Sequence, residues 1–97
     1  MRVLEFWQRG CPYCAAQKKA KLMERLAGLH PDISFERVDC GVRADLADAL
    51  SVRELPSYLA VEGDQVLARL SGGVPLEQLE QLVQKARKKS KPGARKS

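Results

Sequence analysis

Two cysteines, Cys11 and Cys14, stand at the junction of an apolar run and a helical pattern, and this junction limits the fold more than any other feature. Residues 2–7 are rich in Val, Leu, Phe and Trp and contain no turn residue, which is typical of a buried strand. Pro12 then stands where a proline suits the first turn of a helix. A strand that leads directly into a helix indicates an α/β fold.

The segment after Pro12 predicts one helix, because its apolar residues recur with a period of about 3.6 residues until Gly28 and Pro31. The buried stripe is expected to contain Ala16, Ala20, Met23 and Ala27 beside Leu22, Leu26 and Leu29. The polar face is expected to carry Gln17, Lys18, Lys21, Glu24 and Arg25. His30 is expected at the carboxyl end of this helix.

The rest of the chain predicts the order β-α-β-α-β-β-α. Strands are expected over residues 33–39, 57–61 and 65–70, a short helix over 43–50, and a last helix that Pro75 opens. The first two strands should be parallel, joined by a right-handed crossover, and the last two should form a hairpin at Gly63–Asp64. The expected architecture is one mixed four-stranded sheet with helices on both faces.

The net charge of +5 on 97 residues is divided unevenly. Residues 1–84 carry ten Lys/Arg and twelve Asp/Glu, whereas residues 85–97 carry seven Lys/Arg and no acid. We therefore expect one domain over residues 1–88 and a basic, disordered tail over residues 89–97. The tail is either a solubilising end or the one place where nucleic acid or an acidic partner would bind.

The composition also excludes some classes of protein. No apolar run approaches the roughly 20 residues that a transmembrane helix requires. The first residues lack the basic region and cleavage site of a secretory signal. Together with an odd number of cysteines, three in all, this predicts a cytoplasmic protein rather than a disulfide-stapled secreted one.

The two close cysteines are better suited to redox chemistry than to stabilising the fold, because so short a loop constrains the unfolded chain very little. Cys11 is expected at the start of the helix, where free N–H groups and the helix dipole favour a thiolate. Cys14 should be more buried and should resolve the mixed disulfide that Cys11 forms. A zinc site would need two more ligands. The only candidates are Cys40 and His30, and neither belongs to a closely spaced ligand pair, so no metal is expected.

These motifs resemble those of the thioredoxin superfamily. Leu4–Trp7 resembles the strand before the redox motif, Leu55-Pro56-Ser57 resembles the cis-proline loop, and Gly72-Gly73 resembles the closing glycines. The resemblance implies a thioredoxin fold in which Pro56 is cis and faces Cys11, while the backbone of Leu55 pairs with a bound peptide. Pro12, Tyr13 and Trp7 are expected near the site, where they would contact the substrate. Trp7 either borders the site or belongs to the core.

Glu5 is the unexpected residue of the first strand, since a carboxylate among Val, Leu, Phe and Trp should be buried. By the resemblance it replaces the buried acid beneath the second cysteine and would accept the proton of Cys14. The alternative is that Glu5 faces solvent or pairs with Lys18 or Lys19.

The sequence Cys-Pro-Tyr-Cys is that of glutaredoxins, although the chain lacks their lysine before the motif and their acid after the paired glycines. The leading hypothesis is a monomeric protein-disulfide reductase that needs no cofactor beyond its own disulfide and takes electrons from a reductase or glutathione. The alternatives are a glutathione-dependent reductase that uses Cys11 alone and a module that binds an iron–sulfur cluster or a partner. Cys40 is expected to be structural, with a regulatory thiol or an intermolecular disulfide as the alternatives.

Overall fold

The computed structural model describes residues 1–90, and the expected tail from residue 91 onward lies outside the described residues. The elements in chain order are β1 (Arg2–Trp7), α1 (Pro12–Lys19), α2 (Leu22–Leu29), β2 (Ser34–Asp39), α3 (Ala44–Ala49), β3 (Ser57–Glu62), β4 (Gln65–Ser71) and α4 (Leu76–Lys89). Each of the four strands begins and ends within one residue of its expected bounds. The last helix continues through Lys89, which is the first residue of the segment expected to be disordered.

The four strands form one mixed sheet, as expected, and their order in the sheet is β2-β1-β3-β4. β1 pairs in parallel with β2 and antiparallel with β3, and β3 pairs antiparallel with β4. β1 is therefore an inner strand, and its residues have a neighbour on either side. Glu5 lies opposite Arg37 on β2 and opposite Tyr58 on β3, so these three residues form a row across the sheet.

Helices cover both faces of the sheet. On one face, side chains of α2 and α4, including Leu26 and Leu79, pack against Val3 and other alternate strand residues. On the other face, Ala47 of α3 packs against Leu4 and further strand residues. Because successive strand residues point to opposite faces, Glu5 shares the α2 and α4 face with Val3.

The long first helix that the sequence predicts is two helices, and the expectation of one is wrong. The chain breaks at Lys21, whose φ of 56° lies in the left-handed region. The buried residues explain the break. In an unbroken helix at about 100° per residue, Cys14 and Gln17 of α1 would lie opposite Met23 and Leu26 of α2, so both pairs could not face the sheet.

The expected stripe is corrected at several positions as a consequence. Ala16 and Ala20 are exposed, as is Leu29, whereas Gln17 is buried. The recurrence of apolar residues in the sequence is an average over two helices, and the buried faces of these two helices point in different directions.

His30 ends α2, as expected, and joins it to α4. Its Nε2 contacts Glu80, and its Nδ1 lies 3.1 Å from Nη2 of Arg87, which also donates to Asp32. A guanidinium can only donate, so Nδ1 accepts and Nε2 carries the proton toward Glu80. The hydrogen bond from Arg87 lowers the pKa of the Asp32 carboxyl. None of the helices described within residues 1–90 is both long enough and apolar enough to span a bilayer.

Two leucines one turn apart on α2 test this packing. Leu26 is fully buried and Leu29 is 53% exposed. Leu26→Ala should lower the free energy of unfolding by about 3 kcal/mol, because it leaves a cavity against the sheet. Leu29→Ala should change it by less than about 0.5 kcal/mol. Chemical denaturation measures both, and equal losses would contradict the placement of α2.

Candidate redox site

Cys11 and Cys14 form a disulfide at the carboxyl end of β1, where α1 begins. Cys11 is the N-cap of α1, and its Sγ accepts a hydrogen bond from the backbone N–H of Cys14 at 3.1 Å. Cys14 is buried at 2% exposure, whereas Cys11 is half-buried. The expected asymmetry is confirmed: the sulfur at the helix start is the accessible one and receives a backbone N–H.

Glu5 is buried at 1% exposure, and both of its oxygens accept hydrogen bonds from the neighbouring strands. Arg37 Nε donates to Oε1 at 2.6 Å, and the Tyr58 hydroxyl donates to Oε2 at 2.7 Å. The alternative that Glu5 faces solvent or pairs with Lys18 or Lys19 is therefore wrong. Both lysines are exposed on α1, while Arg37 lies directly opposite Glu5 in the sheet.

Gln17 extends this group from α1. Its Nε2 donates to the Tyr58 hydroxyl at 2.8 Å and to the backbone carbonyl of Val74 at 3.0 Å. Burial raises the pKa of Tyr58, so its hydroxyl keeps its proton. Sequence reasoning missed Gln17, Tyr58 and Arg37. The signal that could have found them is the buried acid itself, which requires partners on the adjacent strands.

A pocket of about 200 Å³ opens beside the disulfide. Trp7, Lys18 and Arg37 line it together with both cysteines. The Arg37 guanidinium carbon lies 4.7 Å from the centre of the Trp7 ring, a distance at which the cation and the ring attract each other. Arg37 thus contacts the buried carboxylate at one end and reaches the pocket beside the cysteines.

Tyr13 and the proline loop form further parts of the expected substrate surface. Tyr13 is 64% exposed, and its ring covers Gly73, where an added Cβ would lie 3.3 Å from the tyrosine Cδ1. The Leu55–Pro56 peptide bond is cis, which confirms that part of the resemblance. Pro12 is exposed at the start of α1. The substrate-binding roles of these residues remain predictions.

Cys40 lies outside this group, at the turn after β2. Its backbone N–H donates to the carbonyl of Trp7 at 2.8 Å. Burial, and secondarily the nearby Asp39 charge, raises the pKa of the Cys40 thiol. Within residues 1–90, no three His, Cys, Asp or Glu side chains are grouped so that they could hold a metal ion.

The fold and the disulfide motif agree with the comparisons with known proteins. A family model described as Thioredoxin matches residues 1–85. The chain is 26% identical over 86 residues to a curated Streptomyces coelicolor protein named "Putative thioredoxin 2", covering 89% of this chain and 63% of that protein. It thus spans less than two thirds of the length of that relative.

Solved structures show the same likeness. Thioredoxin f from spinach chloroplast is 28% identical, with a TM-score of 0.77, and the match covers 89% of this chain and 75% of that one. A malarial protein is also 28% identical, with a TM-score of 0.74, and the match covers 88% of this chain and 94% of that one. The fold is an open α/β sheet that carries a CxxC disulfide where its first strand leads into a helix. The chain belongs to the thioredoxin family.

The thiol of Cys40 should react slowly once the protein is reduced. A raised pKa leaves less thiolate at neutral pH, so its rate of alkylation by iodoacetamide should be well below that of Cys11 and should keep rising above pH 9. Mass spectrometry of the modified peptides over time measures both rates. Modification of Cys40 at or before Cys11 would contradict a structural role for this residue.

Proposed function

We propose that the chain is a thiol–disulfide oxidoreductase that reduces protein disulfides through the Cys11–Cys14 couple. The observation that carries this proposal is the position of the disulfide: an accessible sulfur caps a helix, and a buried sulfur lies one turn further in. Membership of the thioredoxin family supports it.

The first step uses the reduced form. The Cys11 thiolate attacks one sulfur of the substrate disulfide, a Cys11–substrate bond forms, and the substrate bond breaks to release a thiolate that takes up a proton from water. The N–H of Cys14 and the other free groups at the start of α1 stabilise the attacking thiolate.

The second step uses Cys14. Its thiol loses a proton, and the sulfur attacks Cys11 to form the intramolecular disulfide, which releases the second substrate thiolate. Two electrons have then passed to the substrate. Glu5 is the proposed proton acceptor in this step, and its burial beside the end of β1 that carries the motif supports the role.

The substrate is proposed to lie across an exposed surface around the disulfide. Tyr13, Pro12 and Trp7 would border it, and the backbone of Leu55 before cis-Pro56 would pair with an extended peptide. The electron donor would be a reductase or glutathione, and the chain would act as a monomer in the cytoplasm, with no cofactor beyond its disulfide. The exposed ring of Tyr13 supports a surface for peptides.

Serine variants test the division of labour. Cys11→Ser should abolish reduction of insulin disulfides, because the attacking sulfur is gone. Cys14→Ser should stop at the mixed disulfide, which non-reducing mass spectrometry would capture. Cys40→Ser is the matched control and should retain full activity, since that thiol lies outside the site.

Two results would contradict the proposal. Sustained turnover by Cys14→Ser with glutathione would support the glutathione-dependent alternative. Failure to find a two-electron Cys11–Cys14 couple in redox buffers of any poise would leave the binding-module alternative.

A further inference from the structure

A chain of hydrogen bonds with a fixed direction ends on Glu5. The carbonyl of Val74 can only accept, so the Gln17 group that faces it is the amide NH₂. The second hydrogen of this NH₂ points to the Tyr58 oxygen. With a donor already directed at its oxygen, Tyr58 turns its own hydrogen to Glu5 Oε2. The Val74 carbonyl therefore fixes the orientation of the Gln17 amide and, through it, the direction of the Tyr58 hydroxyl hydrogen.

The residues of this hydrogen-bond chain are all buried. Val74, Gln17, Tyr58 and Glu5 are all at most 9% exposed, so water does not compete freely for these bonds. The other carboxylate oxygen accepts from Arg37. Glu5 thus receives one donor from each adjacent strand. Arg37 can only donate, and the Tyr58 oxygen already accepts from Gln17.

We propose that Tyr58, oriented by Gln17, is a positioning residue for the proton-accepting carboxylate of Glu5. The inference rests on the proposed function, because it assigns a role that acts through Glu5. A hydroxyl donor stabilises the carboxylate over the carboxylic acid. The hydroxyl therefore sets the pH range in which Glu5 is free to take the Cys14 proton.

The surroundings of Glu5 limit what else could control it. Arg37 faces it from β2 and Tyr58 faces it from β3. From α1, Gln17 acts through the Tyr58 hydroxyl, while Cys14 and Lys18 share the adjoining pocket with Arg37. Tyr58 is the one neutral donor on the carboxylate among the residues described, so its hydroxyl can be removed without removing a charge.

The test separates the two cysteine steps in one reaction. The reduced full chain, carrying Cys40→Ser, is mixed with dithiobis(nitrobenzoate) in a stopped-flow instrument over a range of pH. The first release of thionitrobenzoate is bimolecular and reports attack by Cys11. The second is unimolecular and reports attack by Cys14, so only the second should depend on Glu5.

Tyr58→Phe should move the acidic limb of the second release upward by about one pH unit, because the carboxylate loses a donor. The first release should not change. Gln17→Leu should move the acidic limb of the second release in the same direction by a smaller amount. It replaces Tyr58→Phe in the test if the Tyr58→Phe variant does not fold. In a Glu5→Gln background, Tyr58→Phe should have no further effect on the profile.

The outcomes distinguish the two claims. If Glu5→Gln leaves the second release unchanged, the proposed role of Glu5 is wrong, and the positioning role of Tyr58 is wrong with it. If Glu5→Gln changes it while Tyr58→Phe only lowers the thermal stability, the hydroxyl is structural and the positioning role alone is overturned.

The distribution of charge around the disulfide carries a second, independent inference. Residues 8–23 contain Arg9, Lys18, Lys19 and Lys21 and no Asp or Glu, although residues 1–84 hold more acids than bases. Arg9 and Lys18 line the pocket beside the disulfide, and no carboxylate does. Neither of the two forms an ion pair with any residue from 1 to 90.

We infer that this pocket receives an acidic side chain that flanks the disulfide of a protein substrate. The inference names a substrate class for the proposed function. Two cations without internal partners beside the reacting sulfur attract a carboxylate, and the attraction acts at the moment when the substrate docks. Arg37 adds less, because Glu5 already offsets its charge.

Two disulfide peptides that differ only in Asp or Asn beside the cystine test the inference. The reduced chain should react severalfold faster with the Asp peptide at low ionic strength, and salt should diminish the difference. Lys18→Gln should reduce this preference. Lys88→Gln on α4, which is outside the pocket, is the matched control and should leave it unchanged.

Equal rates for the two peptides at low salt, or an undiminished preference in Lys18→Gln, would overturn the substrate class while leaving the reductase function intact. A faster reaction with glutathione disulfide than with the Asp peptide would assign the pocket to a small anion instead. Reduction of neither peptide would reject both the substrate class and the proposed function.

Discussion

The carboxylate of Glu5 lies in an inner strand with almost no exposure to solvent, and much of the sheet is arranged around its partners. An ionised carboxylate without partners in such a place costs several kcal/mol. Arg37 and Tyr58 remove most of that cost only because the pairing register sets each of them directly opposite Glu5. A slip of one residue along either neighbouring strand would turn that partner to the other face of the sheet. The buried charge therefore favours one register for three strands at once.

The same group of side chains connects the sheet to the redox motif. Gln17 lies one turn beyond Cys14 on α1 and reaches Tyr58, so the helix that carries the cysteines is tied to the strand that follows cis-Pro56. The break at Lys21 makes this possible, since α1 turns Cys14 and Gln17 inward while α2 turns Met23 and Leu26 inward. α1 thus supplies the hydrogen-bonding side chain near the disulfide, and α2 supplies apolar side chains to the core.

Much of the fold could be read from local patterns. The bounds of β1 follow from its apolar run, and the position of Cys11 at the start of a helix follows from Pro12. The cis bond before Pro56 followed from the resemblance of its loop to a known family. The wrong predictions concern helix residues whose burial depends on tertiary contacts and not on the apolar period of the sequence. Gln17 looked like a solvent-facing residue and is buried because Tyr58 and Val74 offer it partners. Leu29 looked like a core residue and is the exposed last residue of α2, whereas the next residue, His30, is buried.

The amino-acid sequence alone established the order of the four strands and of the helices except for the break at Lys21. It also established the placement of two cysteines at a strand-to-helix junction and the presence of one acid in an apolar strand. These are consequences of short-range chemistry: side-chain period, turn residues and the first turn of a helix. Only the tertiary structure decided which cation pairs with Glu5. Lys18 and Lys19 are closer in sequence than Arg37, but partners of a buried charge are chosen by strand register and side-chain direction, which depend on contacts between distant parts of the chain.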